Sequence, residues 1–460
     1  MNLVLQTAVH LIFATLCLSK LAHSWGDPSG LYIHIPFCRR RCYYCDFPIK
    51  IIGERANTRE AATGAYTKAL LKEMHAAFQD DIYEPYLRQN GDDDRKLDTI
   101  YFGGGTPSLL RPEQVREILD TVDHYLGIDS STEVTLEMDP GTFDRSTATA
   151  FKSAGINRVS LGVQSFDDVI LQHSGRAHRR HDAYRALEDL AMVGIENVSI
   201  DLISSLPYVT EELWGDTLSQ TLDSGCAHVS VYDLQVEDKT AFGRWYSPGT
   251  FPLPSIDASA AMYTQAMEML TGGNAGSFEH YEVSNYARPG HRSRHNQKYW
   301  RCDATWGFGV GAASYIRGER LSRPASLGEY NAWIDSIGHV GKGYQAALKA
   351  VNVNKEEVEE SGAKKQSTHD SCQVSSQTDD DPLEVIMLAL RTADGLDLTD
   401  LGSRYGVETV RMVSESLQEY VSKGLVLEKE TNAGIGVRLK DPEGFLQSND
   451  IIASVFAAFL

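Results

Sequence analysis

Cysteine is scarce in this 460-residue chain: the seven, at positions 17, 38, 42, 45, 226, 302 and 372, are too few and too unevenly placed for a disulfide framework. Long apolar runs are also lacking: the leading one, Leu11–Leu18, is shorter than the roughly 20 residues that a membrane-spanning helix needs, and the overall composition excludes a polytopic membrane protein. Basic residues are also short, 43 Lys and Arg against 63 Asp and Glu for a net charge of −20. Such a surplus of acid argues against a protein whose main business is holding nucleic acid or an anionic membrane, and any anionic ligand must meet a local basic site. What is present, 42% hydrophobic and 23% charged residues, is the composition of a globular protein of two or three domains rather than a disordered chain.

The first 26 residues lack acids, hold one Lys20, and carry the apolar run Leu11–Leu18. They read as a targeting-like leader outside the fold, short of both the basic start of a secretory signal and the arginines of an organelle transit peptide. From Leu31 onward, short β-branched runs alternate with amphipathic stretches, the pattern of βα units around a parallel sheet. Six strands are predicted: Leu31–Ile35, Thr99–Phe102, Val134–Glu137, Arg158–Gly162, Asn197–Leu202 and His228–Tyr232. Between them, Tyr66, Leu70, Met74 and Phe78 recur every four residues, and Val115, Ile118, Leu119, Val122 and Leu126 form one stripe. Asp182–Ala191 and Glu211–Leu222 repeat the theme. The expectation is an α/β fold, a partial (β/α)6 barrel over residues 27–345, with its chemistry on loops at the carboxyl ends of the strands.

An acidic, disordered insert or linker is expected over 346–382. Residues 351–382 contain no aromatic residue and eight acids against three lysines. Beyond it, 383–460 reads as a mostly helical, winged-helix-like domain. Helical patterns at Leu383–Leu390, Leu398–Tyr405 and Val407–Lys423 precede two short strands, Leu425–Lys429 and Ile435–Leu439, around Asn432-Ala-Gly434. DNA binding does not follow, because such a module is often a partner surface and the charge is acidic.

The strongest chemical signal is Cys38-Arg-Arg-Arg-Cys42-Tyr-Tyr-Cys45, directly after the first strand. A structural zinc site calls for four closed ligands, and no second Cys-x-x-Cys knuckle exists in the chain, although His34 stands nearby. Three thiolates suit a four-iron cluster with one iron open, its negative charge offset by the three arginines. The second strand ends in Gly103-Gly104-Gly105-Thr106-Pro107-Ser108, whose glycines admit a close approach to backbone. Further polar residues stand at or just after successive strand ends: Glu137, Gln164, Arg176 and Asp201. Singly each suits a cap or a surface pair, while together they suit a polar cofactor.

The Cys-x3-Cys-x2-Cys spacing resembles the signature of radical S-adenosylmethionine proteins. With Tyr32-Ile-His-Ile-Pro-Phe-Cys38 and the Gly-rich loop, the chain from Leu31 to Leu460 resembles the oxygen-independent coproporphyrinogen oxidase group. That resemblance implies a [4Fe-4S] cluster on Cys38, Cys42 and Cys45, with S-adenosylmethionine contacts from Tyr32, Tyr44, Gly104, Gly105, Thr106, Glu137, Gln164, Arg176 and Asp201. The decarboxylating enzyme of the group carries a further cysteine two positions after the third ligand; here that residue is Phe47. In this respect the sequence is similar to the HemW-type haem chaperones, as is His295-Asn-Gln-Lys-Tyr-Trp300, which matches their His-Asn-x-x-Tyr-Trp haem motif.

A neutral imidazole suits haem iron, and Arg288, Arg292 and Arg294 suit propionates. His291 is a rival ligand, and His295 equally suits a hydrogen-bonded histidine in a packing seam. The resemblance thus implies a haem chaperone with no catalytic residue assigned, partnered by haem, haem-accepting proteins and an electron donor, without nucleic acid or an integral membrane span. The alternative is a coproporphyrinogen III dehydrogenase, and a winged-helix regulator is a third class. An iron–sulfur protein gains nothing from an oxidising lumen, so a mitochondrion or plastid is the expected address, with the cytoplasm as alternative.

Overall fold

The computed structural model describes residues 27–80, 83–87, 95–272, 277–337, 343–351, 381–431 and 434–460. The leader of residues 1–26, most of the acidic insert (352–380) and the tip at 432–433 lie outside the described residues.

Six parallel strands run in sequence order: β1 (Gly30–Ile35), β2 (Thr99–Gly104), β3 (Glu133–Met138), β4 (Arg158–Gln164), β5 (Asn197–Ser204) and β6 (His228–Asp233). They fall where the β-branched runs predict them. The sheet continues on both sides. Past β6 lie two antiparallel strands, β7 (Glu279–Glu282) at the outer edge and β8 (Asn285–Ala287) beside β6. On the other side β9 (Thr305–Phe308) pairs parallel with β1, followed by the antiparallel β10 (Ala313–Ile316) and β11 (Glu319–Ser322). The result is an 11-stranded sheet curved as a partial barrel, five strands larger than the sequence reading.

The alternation along the strands divides the work. Ile33, Ile100, Leu136, Leu161, Ile200 and Val229 are fully buried in the aliphatic core with the helices. Their neighbours on the opposite face are polar: Tyr32, Tyr101, Glu137, Ser160, Asp201 and Ser230. A parallel strand buried on both faces ordinarily reads as continuously apolar. Here polar side chains interrupt that run along the inner face.

Helix α1 (Ala56–Phe78) buries Tyr66, Leu70, Met74 and Phe78 as their spacing requires. Helix α2 (Pro112–Leu126) starts on a proline, with Gln114 Oε1 accepting from the Arg111 N–H at 2.8 Å. Residues 344–351 are helical and add Tyr344 and Leu348 to the same core.

The C-terminal region has its own core, including Ile386, Leu401, Val413, Leu439 and Ile451. Helices Pro382–Leu390, Leu398–Tyr405 and Val407–Ser422 precede a hairpin of β13 (Val426–Glu430) and β14 (Ile435–Leu439), to which β12 (Leu396–Asp397) adds a third strand. This region grips the sheet at both edges. Backbone bonds from Val283 N to Arg391 O and from Ala393 N to Tyr281 O cover β7, and an Arg320–Glu384 ion pair of 2.6 Å reaches β11. Among the described residues no helix is long and apolar enough to cross a membrane.

Candidate functional site

A cavity of about 510 Å³ opens at the carboxyl ends of β2 to β6. Cys38, Cys42 and Cys45 line it from one side, with Tyr44 beside them. Gly104, Gly105, Thr106, Glu137, Gln164, Arg176 and Asp201 line it from the strands. Twelve of the fourteen residues proposed from sequence for the cluster, its cofactor and the chaperone/dehydrogenase distinction thus meet in one place, counting Phe47, which is 59% exposed at the same cavity. Tyr32 and His295 do not line it. A larger, open groove of about 820 Å³ around His75, Arg116 and His124 lies between helices, away from the strand ends, and brings none of these groups together.

Several contacts fix the cysteine loop. Tyr43 N donates to Ser174 O, Phe242 N to Tyr43 O, and Ile52 N to Cys38 O, at 2.9–3.1 Å. Of the three loop arginines, Arg39 turns inward to Asp139 at 3.3 Å, Arg40 pairs outward with Glu54, and Arg41 donates to the Cys45 carbonyl. Only Arg39 therefore adds its charge to a buried network. Asp139 also binds Arg176 and, at 3.2 Å, His178 Nδ1. Although burial pushes its carboxyl up, the Arg176 guanidinium beside it holds the group well below the ordinary carboxylate range.

Asp139 and His178 are not singled out by sequence reasoning. Asp139 stands two residues beyond Glu137, but its role depends on partners at positions 39 and 176, a separation that no local pattern carries.

The glycines have a concrete cause. Gly104 sits at φ +108°, and a Cβ there would lie 2.4 Å from the His34 ring; at Gly105 it would lie 2.7 Å from the Phe37 carbonyl. Gln164 holds φ 68° where the β4–β5 register shifts, a strained backbone at the cavity wall.

Glu137 accepts from Tyr101 OH and from Gly104 N, both at 2.9 Å. Burial still pushes its carboxyl up to about 7, and burial raises Asp201 as well, against hydrogen bonds from Ser160 and Ser199. Burial pushes the Cys38 thiol up to about 12. Burial is the first cause of each of these shifts, whereas Asp139 in the same cavity is held low by Arg176.

The donor set suits a thiolate-bound cluster. Thr106 Oγ1 donates to Cys38 Sγ at 3.5 Å and Arg176 Nη1 to Cys42 Sγ at 3.4 Å, while the buried Arg176 Nε has no partner. Among the described residues no three His, Cys, Asp or Glu side chains form a ready metal-ligand set, so the sulfurs share a cavity without being drawn together.

His295 lies at the opposite end of the barrel. The helix Arg294–Trp300 packs under the amino ends of β2 and β3, where Lys298 Nζ bonds Asp98 at 2.8 Å and His295 N donates to Glu133 at 3.2 Å. The imidazole is 1% exposed, and both nitrogens are engaged: Nδ1 with Thr99 Oγ1 at 2.8 Å and Nε2 with Tyr299 OH at 2.9 Å. Burial, followed by the charges of Lys298 and Arg158, lowers its pKa to about 3. The basic residues expected to meet propionates are occupied in part: Arg292 pairs with Glu279 and Asp394, and Arg294 donates to Ser131 O. Tyr32, also below the cavity, bonds His34 Nδ1 at 3.0 Å through its hydroxyl.

A parallel barrel with three cysteines in the loop after β1 and a Gly-rich end to β2 is the architecture of a radical S-adenosylmethionine protein, and residues 32–220 match the Radical SAM superfamily. The heme chaperone HemW of Synechocystis is 38% identical over 442 residues, which cover 94% of this chain and 97% of that protein. HemW of Bacillus subtilis is 30% identical over 93% of this chain and 98% of its own. The chain belongs to the HemW family. Its fold is shared with the solved coproporphyrinogen III oxidase HemN of Escherichia coli, at a TM-score of 0.68 and 19% identity over 98% of this chain and 93% of that one.

Proposed function

We propose that this protein binds haem and passes it to acceptor proteins, using a radical S-adenosylmethionine domain to hold a [4Fe-4S] cluster. The reading is carried by Cys38, Cys42 and Cys45 opening on one cavity in a chain that matches a haem chaperone over 94% of its length. In it the three thiolates hold the cluster, and Glu137 and the Gly104–Thr106 loop receive the amino end of S-adenosylmethionine. Gln164 and Asp201 offer it further polar contacts, and Arg176 balances negative charge beside Cys42. Bound there, the cluster supplies one-electron chemistry, for which an electron donor is a required partner.

His295 is the proposed haem ligand. For Nε2 to reach iron, the Tyr299 hydroxyl must leave it, and Tyr299, 43% exposed, has room to turn outward. Anaerobic cluster reconstitution followed by haem titration of wild type and His295→Ala tests this reading, with coproporphyrinogen III turnover measured in parallel. Haem binding that is lost in the variant, without turnover, supports it. Turnover without stable haem binding promotes the dehydrogenase, whose further cysteine is here the cavity-lining Phe47.

A further inference from the structure

The cofactor cavity and His295 stand at opposite ends of one polar barrel interior, and one side chain touches both. Tyr101 lies midway along β2, between Thr99 at the base and Gly104 at the mouth. It lines the cavity. Its hydroxyl donates to one oxygen of Glu137, whose other oxygen takes the Gly104 N–H. Its ring lies nearly parallel to the His295 imidazole, centroids 5.1 Å apart at 23°, and to the Tyr32 ring at 6.2 Å and 24°. The imidazole is in turn fixed by Thr99, Tyr299 and, through its backbone, Glu133. An aromatic ring held by stacking below and a hydrogen bond above has little freedom to move independently of either end.

The geometry points to Tyr101 as a positioning residue that couples the two ends: it sets Glu137 for the cavity ligand according to the placement of His295. This rests on the reading of the cavity as an S-adenosylmethionine site. A ligand that draws Nε2 away from Tyr299 moves the imidazole, the stacked tyrosine follows, and the hydroxyl shifts on Glu137. Because coupling of equilibria is reciprocal, S-adenosylmethionine then favours one placement of His295 by the same factor. A tyrosine that merely fills space predicts no such dependence.

The test is a double-mutant cycle read on S-adenosylmethionine affinity by anaerobic calorimetry of the reconstituted full chain, comparing wild type, His295→Ala, Tyr101→Phe and the double variant. His295→Gln serves as a second substitution that retains hydrogen-bonding groups if the alanine variant does not fold. Tyr101→Phe, which keeps the ring and removes the bond to Glu137, is expected to weaken binding about fivefold, the effect of one modest hydrogen bond. Substitution of His295, some distance from the cavity, is expected to change affinity about threefold or more when Tyr101 is present and to have no effect in the Tyr101→Phe background, within the range of measured couplings. An unchanged affinity on substituting His295, or an equal change in both backgrounds, overturns the coupling while leaving the cofactor reading intact. Absence of S-adenosylmethionine binding in wild type overturns both.

Discussion

If His295 is the haem ligand, its bond to Tyr299 opposes ligation, and removing that hydroxyl tightens haem binding. In the structure Nε2 and the phenol oxygen are 2.9 Å apart on one face of the same short helix, four residues from each other. Ligation exchanges this bond for iron, and a typical intramolecular hydrogen bond contributes about 1 kcal/mol net. Tyr299→Phe is therefore expected to lower the haem dissociation constant about fivefold at constant fold, at about 1.4 kcal/mol per tenfold. The assay is a Soret-band titration with ferric haem on wild type, Tyr299→Phe and His295→Ala, with far-ultraviolet circular dichroism to establish equal folding. His295→Ala should bind no haem in the Soret-shifted form. A Tyr299→Phe dissociation constant that is unchanged or higher in an equally folded protein refutes the reasoning, since it would mean that the tyrosine does not compete with iron for Nε2.

Other consequences follow from neighbouring groups. His295 is held near pKa 3 when folded and titrates near 6.5 when unfolded, so between these values the unfolded chain binds the additional proton and stability rises with pH. Going down from about pH 7 to about pH 5 should remove about 2 kcal/mol through this residue, and urea midpoints of wild type and His295→Gln at the two pH values should differ in slope accordingly. Asp139→Asn removes the carboxylate shared by Arg39, Arg176 and His178; a loss of about 3 kcal/mol and less iron bound per chain after reconstitution are expected, and full iron content at wild-type stability would count against the network. Gly105→Ala should destabilise by about 1–3 kcal/mol, measured by thermal unfolding, because its Cβ meets the Phe37 and Ile35 carbonyls. Gly64→Ala, in the interior of α1 with open space around it, should stabilise by about 0.5–1 kcal/mol in the same thermal scan.

What is legible in the sequence is local. Each of β1 to β6 is a short run of β-branched and aliphatic residues followed by a loop, and the three cysteines lie within eight positions. β9 escapes such a reading because Thr305-Trp-Gly-Phe308 is four residues long and pairs with β1 from the far end of the barrel, which periodicity does not reveal. The same limit applies inside the site. Glu137 stands out in the sequence and Tyr101 does not, although a hydrogen bond joins them, because a tyrosine alternating with Ile100 and Phe102 reads as ordinary strand. His295 is legible as a motif, but its burial under β2 and β3 depends on Thr99 and Glu133, more than 160 positions away. Tyr32, assigned to the cofactor by resemblance, points to His34 because it shares the inner face one layer below the cavity floor.

The grip of the C-terminal region on both margins of the sheet bears on how the molecule avoids its own kind. An incomplete barrel ends in two strands with unpaired backbone groups, each a template for a neighbouring chain. Here Tyr281 O of β7 accepts from Ala393 N and Val283 N, just past the strand, donates to Arg391 O, while β11 carries Glu319 and Arg320, the latter tied to Glu384. A chain truncated before residue 381 would uncover the β7 margin and release the Arg320 charge on β11. Its expected fate is concentration-dependent self-association rather than simple loss of a domain, so solubility is itself a function of the region that looks most like an appendage.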